Sequence, residues 1–243
     1  MLRGLCWKFP VLEPLCESRC ASCSRPIPLQ MERVFAGSLC SVCANVLARR
    51  SGGYCSRCGE LAASAQTLPA PCGECLKNPP PWGEFFFHGV YGSLLRDLIL
   101  RFKNGHELSL GNVLGRLLAD HPGLSVAYDV IIPMPLHSRR LLERGFNQAQ
   151  EAARPLAARH CLHLAPERLV RTAFREPQTG LSLKEREKNV QGVFAASGVS
   201  GMRILLVDDI ATTGATLRSA TKTLLRAGAS GVSVAVIART PAF

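Results

Sequence analysis

The chain has 243 residues, 29 Lys and Arg against 18 Asp and Glu, and a formal net charge of +11. This length holds one full α/β domain plus a small module, and a 47% share of hydrophobic residues excludes a disordered polyelectrolyte. No window approaches the roughly 18 apolar residues of a membrane span, and Arg3, Lys8, Pro10, Glu13 and Pro14 spoil any signal-peptide core at the start. These features predict a cytoplasmic protein without membrane insertion, whose basic balance favours polyanionic partners or highly phosphorylated ligands.

In such a compartment cysteines serve as thiolates rather than disulfides. Ten of the eleven precede residue 80, and eight form four Cys-x-x-Cys pairs: Cys20/Cys23, Cys40/Cys43, Cys55/Cys58 and Cys72/Cys75. Two intervening residues let both sulfurs of a tight turn face one tetrahedral ion, and two such knuckles complete a four-coordinate zinc site. The segment therefore predicts a double zinc ribbon holding one or two structural zinc ions. Sequential pairing is the simplest arrangement, and interleaved pairing stays open. Gly52, Gly53, Gly59, Pro69 and Pro71 are turn formers amid too little apolar content for an independent core, so metal has to hold the module together. Cys6 and Cys16 read as small apolar residues or spare thiols, and Cys161 as core. Arg19, Arg25, Arg33, Arg49, Arg50 and Arg57 form either a solvated surface or a face for nucleic acid.

The stiff Asn78-Pro79-Pro80-Pro81-Trp82-Gly83 stretch breaks regular structure and marks a boundary. It separates residues 1–80, the ribbon module, from residues 81–243, an α/β domain. A strand is expected over Phe85–Tyr91. Leu94, Leu95, Leu98, Ile99 and Phe102 then fall at helical spacing. Lys103, beside Gly105, either ends that helix as a plain charge or reaches a phosphate. A second helix follows over about Leu108–Ala119. Val130, Ile131 and Ile132 form a buried strand running into Pro133, Pro135, Leu136, Arg139 and Arg140. Ligands of open α/β sheets bind beyond the carboxyl ends of strands, and guanidinium forks match phosphate oxygens.

Arg144, Asn147 and Gln148 open a helix to about Arg159, with a capping role or a ligand-side role at its start. Leu169–Arg171 is a short strand. The polar segment from Arg175 to Asn189 reads as a flexible flap able to bring Arg175, Gln178, Lys184 or Arg186 to a leaving group. Val193–Ala195 and Val232–Ile237 supply further strands.

The most informative stretch is Arg203–Leu217. An apolar run, Ile204 to Val207, reads as a buried parallel strand that stops at Asp208 and Asp209. Ala211, Thr212, Thr213, Gly214, Ala215 and Thr216 then lead into a helix carrying Leu217, Ala220, Thr221, Leu224 and Leu225 on one face, ended by Gly228. A glycine- and threonine-containing turn at a helix N-terminus is an anion cradle. It lacks the Gly-Lys-Ser/Thr of a nucleotide P-loop. Paired carboxylates just before it suit neutral hydroxyls beside a phosphate, as in a sugar phosphate. A bare helix cap would explain one Asp, but not two followed by Thr-Thr-Gly.

Val207–Thr216 resembles the phosphoribosyl pyrophosphate (PRPP) signature of type I phosphoribosyltransferases. That resemblance implies that Asp208 and Asp209 hold the ribose hydroxyls, that residues 211–216 hold the 5'-phosphate, and that the Pro133–Arg140 segment stands at the pyrophosphate loop. Together with the zinc-ribbon cysteines, Phe102-Lys103-x-Gly105, Arg144-Gly145-Phe146-Asn147-Gln148 and Gln178-Thr179-Gly180-Leu181-Ser182, the chain from Cys20 onward is similar to the ComF family. Membership implies a type I phosphoribosyltransferase-like parallel sheet flanked by helices behind a zinc ribbon. It also implies PRPP bound with magnesium and a link to DNA uptake in natural competence. Two functions follow as expectations: a phosphoribosyltransferase, or a non-catalytic factor that grips single-stranded DNA and only senses PRPP or a nucleotide.

Overall fold

The computed structural model describes residues 18–27, 38–105, 107–124, 128–172 and 192–241. Cys6, Cys16, Arg33 and the flap residues Arg175, Gln178, Lys184 and Arg186 lie outside them. The chain divides into two compact units, residues 1–47 and 48–243. In the first, β1 (Ser18–Arg19) pairs antiparallel with β2 (Pro26–Ile27), and α1 (Ser41–Val46) follows. Cys20 follows β1 directly, and its N–H donates to the Arg25 carbonyl at 2.9 Å, closing the first knuckle.

The second unit begins with the later cysteine pairs and α2 (Gly73–Lys77). A boundary at residue 80 was expected from the prolines, whereas the compact units divide at Leu47/Ala48. The cause is packing across the proline stretch. The Trp82 indole N–H donates to the Arg57 carbonyl at 2.7 Å, Arg57 donates to the Gly83 carbonyl at 3.0 Å, and Tyr54 meets Phe87 edge-on at 4.9 Å.

The remaining elements are β3 (Phe85–Val90), α3 (Ser93–Asn104), α4 (Ser109–Ala119), β4 (Val130–Pro133), α5 (Ser138–Arg144), α6 (Gln148–His160), β5 (His163–Leu164), β6 (Leu169–Arg171), β7 (Phe194–Ala196), β8 (Arg203–Ala211), α7 (Ala215–Arg226) and β9 (Gly231–Arg239). Five strands form one parallel sheet in the order β3-β9-β8-β4-β5. The near-continuous burial of β4, β8 and β9 explains why they read as unbroken apolar runs.

This order sets the position of a crevice. From β4 the chain crosses through α6 to β5, and from β8 it crosses the opposite way through α7 to β9. Right-handed crossovers in opposite directions place the two helices on opposite faces, so the carboxyl ends of β4 and β8 splay apart at a topological switch point. Outside the sheet, β6 and β7 form an antiparallel ribbon in which Arg171 faces Phe194 in register.

Three expectations are corrected. The last strand before the cradle runs on through both acids to Ala211, because β9 keeps pairing with it as far as Ala211–Arg239. Ser138, Arg139 and Arg140, expected as the end of a loop, begin a seven-residue helix, Ser138–Arg144, with none of its residues buried, which left no apolar stripe to read. Cys161 is exposed and ends α6 in a left-handed conformation, φ 53°. Among the described residues no helix is long and apolar enough to cross a membrane.

Candidate ligand crevice and metal centres

On β4 the ladder to β8 stops at Pro133–Val207, whereas β8 continues for four residues paired only with β9. Asp208 and Asp209 occupy this one-sided extension, beside the crevice. Of the two, Asp209 meets a cation directly.

Asp209 is 9% exposed, and its Oδ2 lies 2.7 Å from Nζ of Lys103 at the end of α3. Asp208 is half-buried. Its Oδ1 accepts the Asp209 backbone N–H at 2.8 Å. Burial first, and then the neighbouring Asp209 carboxylate, push Asp208 up to about 7, against the opposing pull of that N–H, Lys103 and Arg171.

Sequence reasoning passed over Arg171. Its Nε is buried without a hydrogen-bond partner, and its guanidinium stands 5.9 Å from the centre of the Phe194 ring. Burial and the field of Arg140 hold it below the ordinary arginine range, while Asp208 acts in the opposite sense. A lone arginine in a three-residue strand carries no sequence signal.

Lys103, Asn104, Arg140, Glu143 and Arg144 line a cavity of about 440 Å³. Three cations against one carboxylate make it suitable for an anion. Arg139 is set apart, exposed and paired with Glu143 at 3.2 Å. Pro135 and Leu136 sit half-buried between β4 and α5. Asn147 is occupied structurally: its Oδ1 accepts the Ala149 N–H and its Nδ2 donates to the Met134 carbonyl, both at 3.0 Å, which ties α6 to the end of β4. Gln148 is 2% exposed and its Nε2 has no partner.

The cradle follows the acids directly. Gly214, at φ 76°, takes the left-handed conformation that starts α7, and the Thr213 hydroxyl accepts the Ala215 N–H at 3.4 Å. No acidic residue occupies the first turn of α7, so its free N–H groups and dipole stay available to an anion. Ala211 and Ala215 are buried, Thr212 is exposed, and Thr213 and Thr216 are half-buried.

The cysteines cluster as two sets, Cys20, Cys23, Cys40, Cys43 and Cys55, Cys58, Cys72, Cys75, each with all sulfurs within 4.8 Å of one another. Sequential pairing is thereby the arrangement found. Cys23 and Cys40 sulfurs are 3.8 Å apart and those of Cys58 and Cys72 3.9 Å. A tetrahedron with metal–sulfur bonds of about 2.3 Å has edges of about 3.8 Å, so both sets could hold a metal ion. Burial raises the Cys55 thiol, but N–H groups of Cys72, Arg57 and Cys58 overcome it and bring the pKa to about 7. Burial raises Cys75 to about 11 and Cys43 to about 12. Four crowded thiols resist joint ionisation, a conflict that a bound cation removes.

A family model described as a phosphoribosyl transferase domain matches residues 141–242. DNA utilization protein YhgH of Salmonella typhimurium is 34% identical, across 98% of this chain and 97% of its own length. The chain belongs to the ComF-like family. Competence protein F of Haemophilus influenzae is 32% identical over 85% of this chain and 92% of its own, and competence protein ComFC of Bacillus subtilis 26% identical over 78% and 79%. Among solved structures, the B. subtilis glutamine PRPP amidotransferase complexed with ADP and GMP is 24% identical, covering 55% of this chain and 27% of that one, with a TM-score of 0.37. The ComF-like chain thus joins a phosphoribosyltransferase-type parallel sheet to two four-cysteine clusters.

Proposed function

We propose that the crevice binds PRPP with magnesium, and that the protein acts in the cytoplasm in DNA uptake or use. The observation that carries this reading is the placement of Asp208 and Asp209 at the sheet's switch point, directly before an anion cradle and beside a cationic cavity. In this reading Asp208 and Asp209 accept hydrogen bonds from the ribose hydroxyls, and residues Ala211–Thr216 hold the 5'-phosphate by N–H and hydroxyl donors. Lys103, Arg140 and Arg144, with Arg171 opposite, take the pyrophosphate charge. Pro135, Leu136 and Arg139 edge that side, while Asn147 and Gln148 border the space left for an acceptor. Magnesium supplies Lewis-acid neutralisation of the leaving pyrophosphate. Zinc is the ion assigned to both cysteine clusters.

The names of the relatives favour a role with DNA, and a net charge of +11 suits a phosphate-directed interface. Pyrophosphate release measured against a panel of nucleobases separates the two readings. Acceptor-dependent release from PRPP, absent in Asp208→Asn/Asp209→Asn, is the result expected of a transferase. Absence of release, together with single-stranded DNA binding that the double substitution leaves unchanged, would instead establish a binding module.

A further inference from the structure

We propose that Arg239 is the positioning residue of the phosphate cradle, and that through it the Cys55, Cys58, Cys72 and Cys75 cluster governs ligand affinity in the crevice. This rests on the reading of that crevice as a PRPP site.

Arg239 ends β9 and is 6% exposed, so its charge needs partners at hand. It finds them in two places. Toward the cluster, its Nε donates to the Cys58 carbonyl at 3.0 Å and its Nη2 to Glu60 Oε2 at 2.7 Å. Toward the cradle, its Nη1 donates to the carbonyls of Ala211, at 3.3 Å, and Thr212. One guanidinium therefore spans from a cysteine of the cluster to the first residues of the anion loop.

The cluster end of this strut is fixed by the metal-ligand turn itself. Gly59 donates to the Cys55 carbonyl at 2.8 Å, and Cys55 donates to the Glu60 carbonyl at 2.7 Å. Gly59 sits at φ 70°, and a Cβ there would lie 2.6 Å from a Phe85 ring carbon. Glu60 is thus placed by the turn that carries Cys55 and Cys58. Trp82 forms a second strut: its indole bonds to the Arg57 carbonyl, its ring lies 3.5 Å from where a Gly214 Cβ would be, and Arg218 stacks on it at 5.4 Å. Loss of metal would free the turn, remove the counter-ion of a buried cation and release the Thr212 carbonyl. Coupling between two binding events is reciprocal, so PRPP must also tighten metal retention.

The test uses the full chain loaded with zinc. Calorimetric titration with PRPP and magnesium is expected to show affinity weakened about tenfold in Arg239→Lys, whose ammonium cannot span both sides, and about fivefold in Glu60→Gln, with zinc content intact in both. Zinc release to a chelator is expected to slow at one of the two clusters when PRPP saturates the wild type, and to become indifferent to PRPP in Glu60→Gln. A residue that merely stabilises the fold would lower the melting temperature without making zinc release respond to PRPP. Affinities within twofold of wild type for both variants, or zinc release blind to PRPP in the wild type, would overturn the coupling. If Arg239→Lys fails to fold, Glu60→Gln and the wild-type release rates decide. A wild type that binds no PRPP would overturn the reading of the crevice itself, whereas tight wild-type binding with unmoved variants overturns the coupling alone.

Discussion

The two cysteine clusters share the Cys-x-x-Cys pairing and a similar sulfur geometry, yet they belong to different compact units. The first is confined to a unit of 47 residues with one two-residue-stranded hairpin and a single short helix among its described elements. The second belongs to the unit that carries the sheet, and Trp82, Arg57 and Arg239 bond it to the cradle side of that sheet. Similar cysteine clusters are therefore set in different surroundings, according to what their backbone carbonyls meet. In the proposed reading the second cluster, besides linking its own turns, also sets a neighbouring loop.

The largest effect should come from breaking the second cluster. A structural zinc site supplies on the order of 10 kcal/mol of apparent folding energy, so Cys58→Ser/Cys72→Ser is expected to lose one zinc ion and to lower the melting transition of the sheet-bearing unit sharply. Cys23→Ser/Cys40→Ser is expected to lose one ion as well and to leave that transition in place. Metal analysis with scanning calorimetry checks both, and equal shifts would erase the distinction between the clusters.

A smaller effect tests the strut alone. Trp82 is 3% exposed, and Trp82→Ala should cost about 3–5 kcal/mol by denaturant unfolding. Trp82→Phe, which keeps an aromatic ring and loses the bond to the Arg57 carbonyl, should cost about 1–2 kcal/mol.

The smallest effect lies in the crevice and should not depend on the first cluster. Asp208 stands at about 7 in the fold against 3.8 unfolded. Between those values the native state holds the extra proton, so stability falls as pH rises through this window. Asp208→Asn removes that cost. Stability is expected to exceed wild type by on the order of 1 kcal/mol at pH 8, after allowing for its partial exposure, and the gain should vanish near pH 4. The same profile is expected with the first cluster disabled.

Much of this was legible in the chain. Four Cys-x-x-Cys pairs announced the clusters, the Ile204–Val207 run and the α3 and α7 stripes announced the layers, and the Asp208–Thr216 stretch announced the crevice. What stayed hidden depends on long-range pairing. Arg239 ends an apolar strand and reads as the close of β9, because its partner Cys58 lies 181 residues away. Arg171 acquires meaning only when the β6–β7 ribbon brings it toward Asp208. The division at residue 47 follows from contacts made across the prolines, where composition alone placed the break at residue 80. Asn147 read as either a cap or a ligand-side amide, and the structure shows the capping bonds: its side chain accepts the Ala149 N–H and donates to the Met134 carbonyl.

The central claim, that the paired acids of β8 and the loop behind them hold a phosphorylated pentose, is met most directly by isothermal titration of the zinc-loaded chain with PRPP and magnesium. Saturable binding by the wild type, lost in Asp208→Asn/Asp209→Asn, is the outcome expected. Equal binding by both proteins, or none by the wild type, would contradict it.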